Sequence, residues 1–341
     1  MKSIYSIKRT DLENYFIGLG EKKFRATQVF EWLYRKKVKS FDEMSNMSKD
    51  LIAKLKEDFY FEELVIAKKQ EDELVKKYLF TLTDGNKVES VLMYHDYGLS
   101  ICISSQIGCN MGCAFCESGR LKKVRNLTSS EMLLQILKVE EDIKDRISHI
   151  VVMGIGEPFD NYDNLMDFIR IVNDPYGPAI GIRHITVSTS GLVPKIYEFA
   201  DENLGVNLAI SLHAPTNEIR NKIMKVNKVY PIEDIMKALK YYIDKTNRRV
   251  TFEYIMLDSV NDSKEDAKNL AKLVKNLNCY VNLIPYNETN NIGFKRSNSL
   301  KITEFYDILK KENINVTIRR EFGSKVSAAC GQLRAENEGG K

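Results

Sequence analysis

The run Ser100-Ile-Cys-Ile-Ser-Ser-Gln-Ile-Gly-Cys109-Asn-Met-Gly-Cys113-Ala-Phe-Cys116 decides how the rest of the chain is read. Its first part, 100–105, has the pattern of a short strand. Its second part sets cysteines at C-x3-C-x2-C, three thiolates within eight residues. Three sulfur ligands on a four-iron cluster leave one iron open to chelate a small molecule. A zinc site is normally closed by a fourth ligand, from a second C-x2-C or an H-x3-H pair. The sequence has no such pair, and no histidine lies within ten residues of Cys109–Cys116. A zinc knob or three buried thiols are the blander alternatives.

Beyond this run, short β-rich stretches alternate with helical ones. Strands are expected over 100–105, 149–153, 184–188, 206–211, 249–257, 279–284 and 315–319. Helices are expected near 129–143, 162–172, 194–201, 232–245, 264–277 and 300–311. Strict βα alternation implies parallel strands with helical crossovers, either an open doubly wound sheet or a complete or partial barrel. Chemistry then collects at the C-terminal ends of the strands. The cysteine run follows the first of these strands, Gly154-Ile-Gly156-Glu157-Pro158 the second and Ser188-Thr-Ser190 the third. Ser211-Leu212-His213 follows the fourth, and Asn287 lies just past the sixth.

Upstream, residues 1–62 read as helical, with Asp42 and Ser48 as candidate N-caps. Residues 63–95 alternate instead, and Asp84-Gly85 between two β-rich runs signals a hairpin. Residues 96–341 complete the chain, which is long enough for one large domain with an appendage, or for two domains. Its apolar fraction of 43% is ordinary, and no stretch approaches the ~18 uncharged residues of a membrane span. The first ten residues lack an apolar core, so no signal peptide is read and a cytoplasmic protein is expected. Six cysteines, four of them within fifteen residues, suit a reducing compartment and metal or redox chemistry.

The net charge of +4 is unevenly spread. Lys22, Lys23, Arg25, Arg35, Lys36, Lys37 and Lys39 interleave with Phe24, Phe30, Trp32 and Tyr34. Arg120, Lys122, Lys123 and Arg125 follow the cysteine run. Either group is a solvated surface or an RNA-binding one. Gly154-x-Gly156 alone is a weak nucleotide-loop signal, but its register with the cysteine loop makes Glu157 a candidate acceptor for an ammonium group. Ser188 and Ser211 fit helix caps or ligand contacts equally, and His213 fits a core histidine or a site residue. Cys279 on a strand reads as packing.

The cysteine spacing resembles the signature of radical S-adenosylmethionine (SAM) enzymes. Seven segments carry a closer resemblance: 102–109, 154–158, 184–191, 211–215, Phe252-Glu-Tyr-Ile-Met256, Val281-Asn-Leu-Ile-Pro-Tyr-Asn287 and Ala328-Ala-Cys-Gly-Gln-Leu333. Together they resemble the RlmN/Cfr family of radical SAM RNA methyltransferases, over nearly the whole chain. The resemblance implies an α/β fold, a partial (β/α)6 barrel carrying an N-terminal helical RNA-binding domain (1–62) and a β-hairpin connector (63–95). It implies one [4Fe-4S] cluster on Cys109, Cys113 and Cys116, and two SAM per turnover. SAM contacts fall on Gly156, Glu157, Ser188, Ser211, Leu212, His213 and Asn287. The methyl-carrying cysteine falls on Cys330, its disulfide partner on Cys102 and the general base on Glu89.

The implied substrates are 23S rRNA and tRNA, methylated at adenine C2 through an S-methylcysteine and a transient protein–RNA adduct. The implied electron donor is a flavodoxin or ferredoxin, and a monomer is expected. Gly-Glu-Pro158, Leu-Ile-Pro285-Tyr and Gly-Gln-Leu-Arg334 lean toward the C2-methylating branch rather than the C8-methylating one. The chain departs from the family pattern at Lys325, where an acidic residue is usual, and at Glu117-Ser-Gly-Arg120, where Ser/Thr-rich sequence is usual. Other functional classes consistent with the cluster alone are a maturase or activase that does not act on RNA, and a non-catalytic iron–sulfur RNA-binding protein.

Overall fold

The computed structural model describes residues 1–120, 122–289 and 292–319. Three helices open the chain: α1 (Arg9–Gly18), α2 (Phe24–Phe30) and α3 (Lys49–Asp58). Ser48 caps α3, its side chain accepting from the Leu51 amide at 3.3 Å. Asp42 does not cap a helix. It lies inside the single turn Phe41–Glu43, whose cap is Ser40; Glu43 reaches back to the Ser40 amide and closes a capping box.

Among the described residues, ten strands form the main sheet: β1 (Val65–Asp72), β2 (Val75–Thr81), β3 (Lys87–His95), β4 (Gly98–Cys102), β5 (His149–Val152), β6 (Ile185–Thr189), β7 (Asn207–Ser211), β8 (Val250–Met256), β9 (Cys279–Pro285) and β10 (Val316–Ile318). They lie side by side in chain order. β1 to β4 form an antiparallel meander. From β4 to β10 every pairing is parallel. The Asp84-Gly85 turn joins β2 to β3 as expected, with Gly85 at φ +82°.

Parallel neighbours cannot be joined by a hairpin, so each crossover carries helix. These are α4 (Ser129–Ile143), α5 (Tyr162–Asn173), α6 (Val193–Glu202), α7 (Asn217–Ile223) with α8 (Ile232–Thr246), α9 (Lys264–Val274) and α10 (Ser299–Lys311). The result is six strand–helix units with β10 as closing strand, the α/β architecture expected. α7 was not foreseen. It is short, and its apolar residues Ile219 and Ile223 show a single helical repeat.

On α5, Leu165, Phe168, Ile169 and Val172 recur at helical spacing and are buried. They join Ile101, Ile150, Val187, Ile210, Phe252 and Val281 of the strands in one core that also takes in Leu12, Phe16 and Phe30 of the N-terminal helices. Burying each such side chain contributes roughly 1.5–3 kcal/mol. Ion pairs flank the junction: Lys8–Asp167 at 2.6 Å, Arg9–Asp174 at 2.9 Å, Lys37–Glu140 at 3.2 Å and Lys39–Glu141 at 3.0 Å. Part of the first basic group is therefore internal docking charge. Among the described residues, no helix is long and apolar enough to cross a membrane.

Candidate active site

Past β4 the chain leaves the sheet. Gln106–Ile107 pairs antiparallel with Arg125–Asn126, which closes the neck of a loop holding the three clustered cysteines. The loop is tied to α7 by the Ala114 amide donating to the Ile223 carbonyl at 2.9 Å. The Cys116 amide donates to the Cys113 carbonyl at 3.2 Å, and the Gly119 amide to the Cys116 carbonyl at 3.0 Å. A Cβ on Gly119 would stand 2.9 Å from the Cys113 carbonyl oxygen, so this turn requires glycine. That is a packing reason for one residue of the unusual 117–120 stretch. Met111, Cys113 and Phe115 pack against a small apolar cluster containing Ile223, Met224 and Tyr286.

Cys109, Cys113 and Cys116 are half-buried. Burial pushes the Cys109 thiol up to about 12 and Cys113 higher still, each opposed or reinforced by smaller neighbouring effects. Such thiols bind as thiolates only when a cation displaces their protons. Among the described residues, no group of three or more His, Cys, Asp or Glu side chains is arranged to hold a single metal ion. A four-iron cluster asks for something different, three sulfurs on three separate irons. Beside Cys116, Glu117 Oε1 and Ser118 Oγ are buried without hydrogen-bond partners. The donor set fits an iron–sulfur cluster better than a closed zinc site.

The loops after β5, β6 and β7 pack beside this one. A Cβ on Gly154 would meet the Ile103 carbonyl oxygen at 2.6 Å, and one on Gly156, at φ +112°, would meet Gln106 at 2.6 Å. Both glycines are needed for the β5 loop to lie against 103–106. Glu157 is buried; its carboxylate accepts from the Phe159 amide at 3.0 Å and the Ser190 amide at 2.7 Å. Burial raises its pKa while these hydrogen bonds oppose the rise. With two amides bound, the carboxylate still has lone pairs for a third donor.

Ser188 Oγ and Ser211 Oγ lie 3.4 Å apart on adjoining strands. Ser211, Glu253 and Asn282 are direct cross-strand neighbours on β7, β8 and β9, a polar row at one level of the sheet. Asn282 Nδ2 donates to Glu253 Oε2 at 2.8 Å, and burial raises the Glu253 pKa. Leu212 is fully buried. Asn287 is exposed just past β9.

His213 has φ +58° and is buried, with its ring edge-on to Phe115 of the cysteine loop at 4.9 Å. Its Nδ1 accepts from the Ile255 amide at 3.1 Å, so the proton of the neutral ring is on Nε2. Burial, with Arg220 adding to it, drives the imidazole down to about 3. It is a neutral, hydrogen-bonded histidine set against the cysteine loop.

Arg220 on α7 is fully buried beside these loops. Its Nε donates to the Leu212 carbonyl at 3.0 Å, and Nη2 to those of Ser190 at 2.6 Å and Ser211 at 3.2 Å. Nη1 donates to Asn227 Oδ1 at 2.9 Å. Arg220 therefore staples the ends of β6 and β7 together. Sequence reasoning passed over it because α7 itself was missed. Glu253 did leave a signal, a lone carboxylate inside the apolar strand Val250–Met256.

The antiparallel side supplies a second group. Lys77, Val91 and Cys102 are paired in one row across β2, β3 and β4. Glu89, two residues from Val91, shares that face. Lys77 Nζ lies 3.2 Å from Glu89 Oε2, both side chains buried. The Glu89 carbonyl accepts from Ser104 Oγ at 2.7 Å, which ties β3 to the segment leading into the cysteine loop. Cys102 is half-buried at the end of β4. Cys330, Lys325 and Arg334 lie outside the described residues. In the second basic group, Lys123 pairs with Asp160 at 2.7 Å, and Arg125 with Asp84 and Glu131, each at 2.7 Å.

Residues 3–61 match the family described as ribosomal RNA large subunit methyltransferase N-terminal domain. Residues 103–273 match the radical SAM superfamily. A probable dual-specificity RNA methyltransferase RlmN of Enterococcus faecalis is 56% identical over 345 residues, spanning 98% of this chain and 96% of its own. The protein of the same description in Spiroplasma citri is 52% identical over 99% of both chains. The crystal structure of a radical SAM methyltransferase from Sphaerobacter thermophilus is 38% identical, with a TM-score of 0.91, covering 97% of this chain and 99% of its own. With a radical SAM core joined to this N-terminal domain and such identity over nearly its whole length, the chain belongs to the RlmN family of radical SAM RNA methyltransferases.

Proposed function

We propose that the chain methylates C2 of adenosine in 23S rRNA, at the peptidyl-transferase centre, and in tRNA, at the adenosine 3′ of the anticodon. What supports this most is the meeting of two groups at the end of β4: the three-cysteine loop on one side, Glu89 and Cys102 on the other. Cys109, Cys113 and Cys116 would hold a [4Fe-4S] cluster, and Gly156, Glu157, Ser188, Ser211, Leu212, His213 and Asn287 would surround SAM. When bound, the cluster supplies the electron that cleaves SAM to a 5′-deoxyadenosyl radical.

Adenine C2 lies between two ring nitrogens and is electron-poor, so a plain polar methyl transfer is not open to it. Cys330 Sγ would take a methyl group from one SAM by displacement. The 5′-deoxyadenosyl radical from the second would remove a hydrogen atom from that methyl, and the S–CH2 radical left would add to C2. The adduct must then give up one electron, to the oxidised cluster, and the C2 proton. The Glu89 carboxylate would take the C2 proton, within hydrogen-bonding reach or through one water. The Cys102 thiolate would then attack Cys330 Sγ and break its bond to the methylene, which takes up a proton and leaves as the C2 methyl of the RNA. The resulting Cys102–Cys330 disulfide must be reopened by a thiol reductant. A buried adenine must first leave its stack, at a cost of a few kcal/mol. Lys22, Lys23 and Lys122 are exposed and available to hold the surrounding phosphates.

The working form is a cytoplasmic monomer, reduced by a flavodoxin or ferredoxin. Its units are a helical RNA-binding domain (1–62), a β-hairpin connector (63–95) and the catalytic barrel (96–341). The test compares cysteine variants incubated with RNA, SAM and reductant on denaturing gels. Cys330→Ala should lose product yet keep its cluster. Cys102→Ala should accumulate a covalent protein–RNA adduct, because the thiolate that displaces the sulfur link is missing. Repeated turnover by Cys102→Ala without an adduct would overturn the assignment.

A further inference from the structure

Arg220 presents an electrostatic anomaly. Its guanidinium is fully buried, yet the partners of its four hydrogen bonds are three backbone carbonyls and the amide oxygen of Asn227. Asn227 in turn donates to Asn217 and Asn221, at 3.0 and 2.9 Å, so every direct partner of the guanidinium is neutral. The carboxylates met further along, Glu233 beyond Asn217 and Glu157 across the Ser190 peptide, are not hydrogen-bonded to it. Hydrogen bonds satisfy the donors but do not neutralise the charge. A buried cation without an anion is expensive, and proteins pair such charges or give them a ligand.

The missing anion has an obvious place. Arg220 is on the helix that receives the cysteine loop, through the Ala114–Ile223 hydrogen bond at 2.9 Å. Burial pushes the Cys113 thiol up, and the Arg220 charge opposes that rise. A four-iron cluster on three thiolates is net negative when oxidised and gains one further negative charge on accepting an electron.

We propose that Arg220 is a positioning residue whose buried charge is the built-in counter-ion of the cluster, stabilising its reduced form while its guanidinium fixes the ends of β6 and β7. The inference rests on the assignment of the cluster to Cys109, Cys113 and Cys116. A cation close to the cluster favours the more negative redox state, so it raises the reduction potential. Removing that charge makes the cluster harder to reduce.

The test is a redox titration of the reconstituted holoprotein followed by electron paramagnetic resonance. Arg220→Gln keeps hydrogen-bond donors but loses the charge. It should hold parent levels of iron and sulfide, with a midpoint displaced to more negative potential by about 59 mV, which is a tenfold change for one electron. Arg220→Lys keeps the charge and should titrate close to the parent. An unchanged midpoint in Arg220→Gln with full cluster content overturns the proposal, since a purely structural staple would affect stability and not potential. If Arg220→Gln holds too little cluster to titrate, Arg220→Lys decides: a parent-like midpoint supports the proposal, and a large negative displacement overturns it. Failure of the cluster assignment is read separately, as full cluster content in Cys113→Ala.

Discussion

Two cations are buried on either side of the cysteine loop, and they are treated in opposite ways. Lys77, in the antiparallel meander, sits 3.2 Å from the Glu89 carboxylate. Arg220, behind the parallel strands, has only neutral oxygens around it. The first pair is complete in the protein alone: each charge offsets the desolvation of the other. The second becomes complete only when an anionic group is bound nearby. One side of the site is thus assembled at folding, and the other is balanced at loading.

The comparison is broken most severely at the cysteines. Replacing Cys109, Cys113 or Cys116 with Ala should reduce 5′-deoxyadenosine formation to background and remove the cluster's visible absorption. The antiparallel half should keep its fold, monitored by circular dichroism. Next in size is the lysine. Lys77→Met leaves Glu89 buried without its cation and should cost roughly 3–5 kcal/mol in chemical denaturation. The double variant Lys77→Met/Glu89→Gln should recover much of that loss, whereas additive losses would mean the two side chains do not act as a pair.

A smaller effect belongs to pH. Burial holds His213 neutral, with its pKa lowered from 6.5 to about 3. The unfolded chain therefore binds a proton that the folded chain does not, and the stability present above pH 6.5 drains away as pH falls toward 3. The slope is about 1.4 kcal/mol per pH unit. His213→Asn, which tolerates the positive φ and offers an oxygen to the Ile255 amide, should lose stability less steeply over that range. Parallel slopes would show that the imidazole takes up its proton in the fold. Smallest of all, Cys279→Ala on β9 should cost about 1–2 kcal/mol and leave methylation unchanged.

Much of this was legible in the chain before its fold. The βα alternation and the Asp84-Gly85 turn are local patterns, so strands and crossovers appear close to where periodicity puts them. The cysteine loop was legible because its spacing carries its chemistry. Lys77 and Arg220 were not, because each looks like an ordinary surface cation until pairing and packing are known. Lys77 is hidden in a β-run whose neighbour is Lys76, and Arg220 in a helix with one apolar repeat. Burial of a charge is a tertiary property, set by strands and loops distant in sequence. The same holds for the basic group at 35–39, where Lys37 and Lys39 prove to dock the N-terminal helices against α4.

Methylation at C2 of adenosine in RNA is the activity at stake. It is tested most directly by incubating 23S rRNA and tRNA anaerobically with reconstituted protein, SAM and reductant, digesting the RNA and identifying the nucleosides by chromatography and mass spectrometry against both methyladenosine standards. 2-Methyladenosine is expected, absent when Cys330→Ala replaces the parent. 8-Methyladenosine as the main product, or SAM cleavage with no methylated adenosine from either RNA, would contradict it.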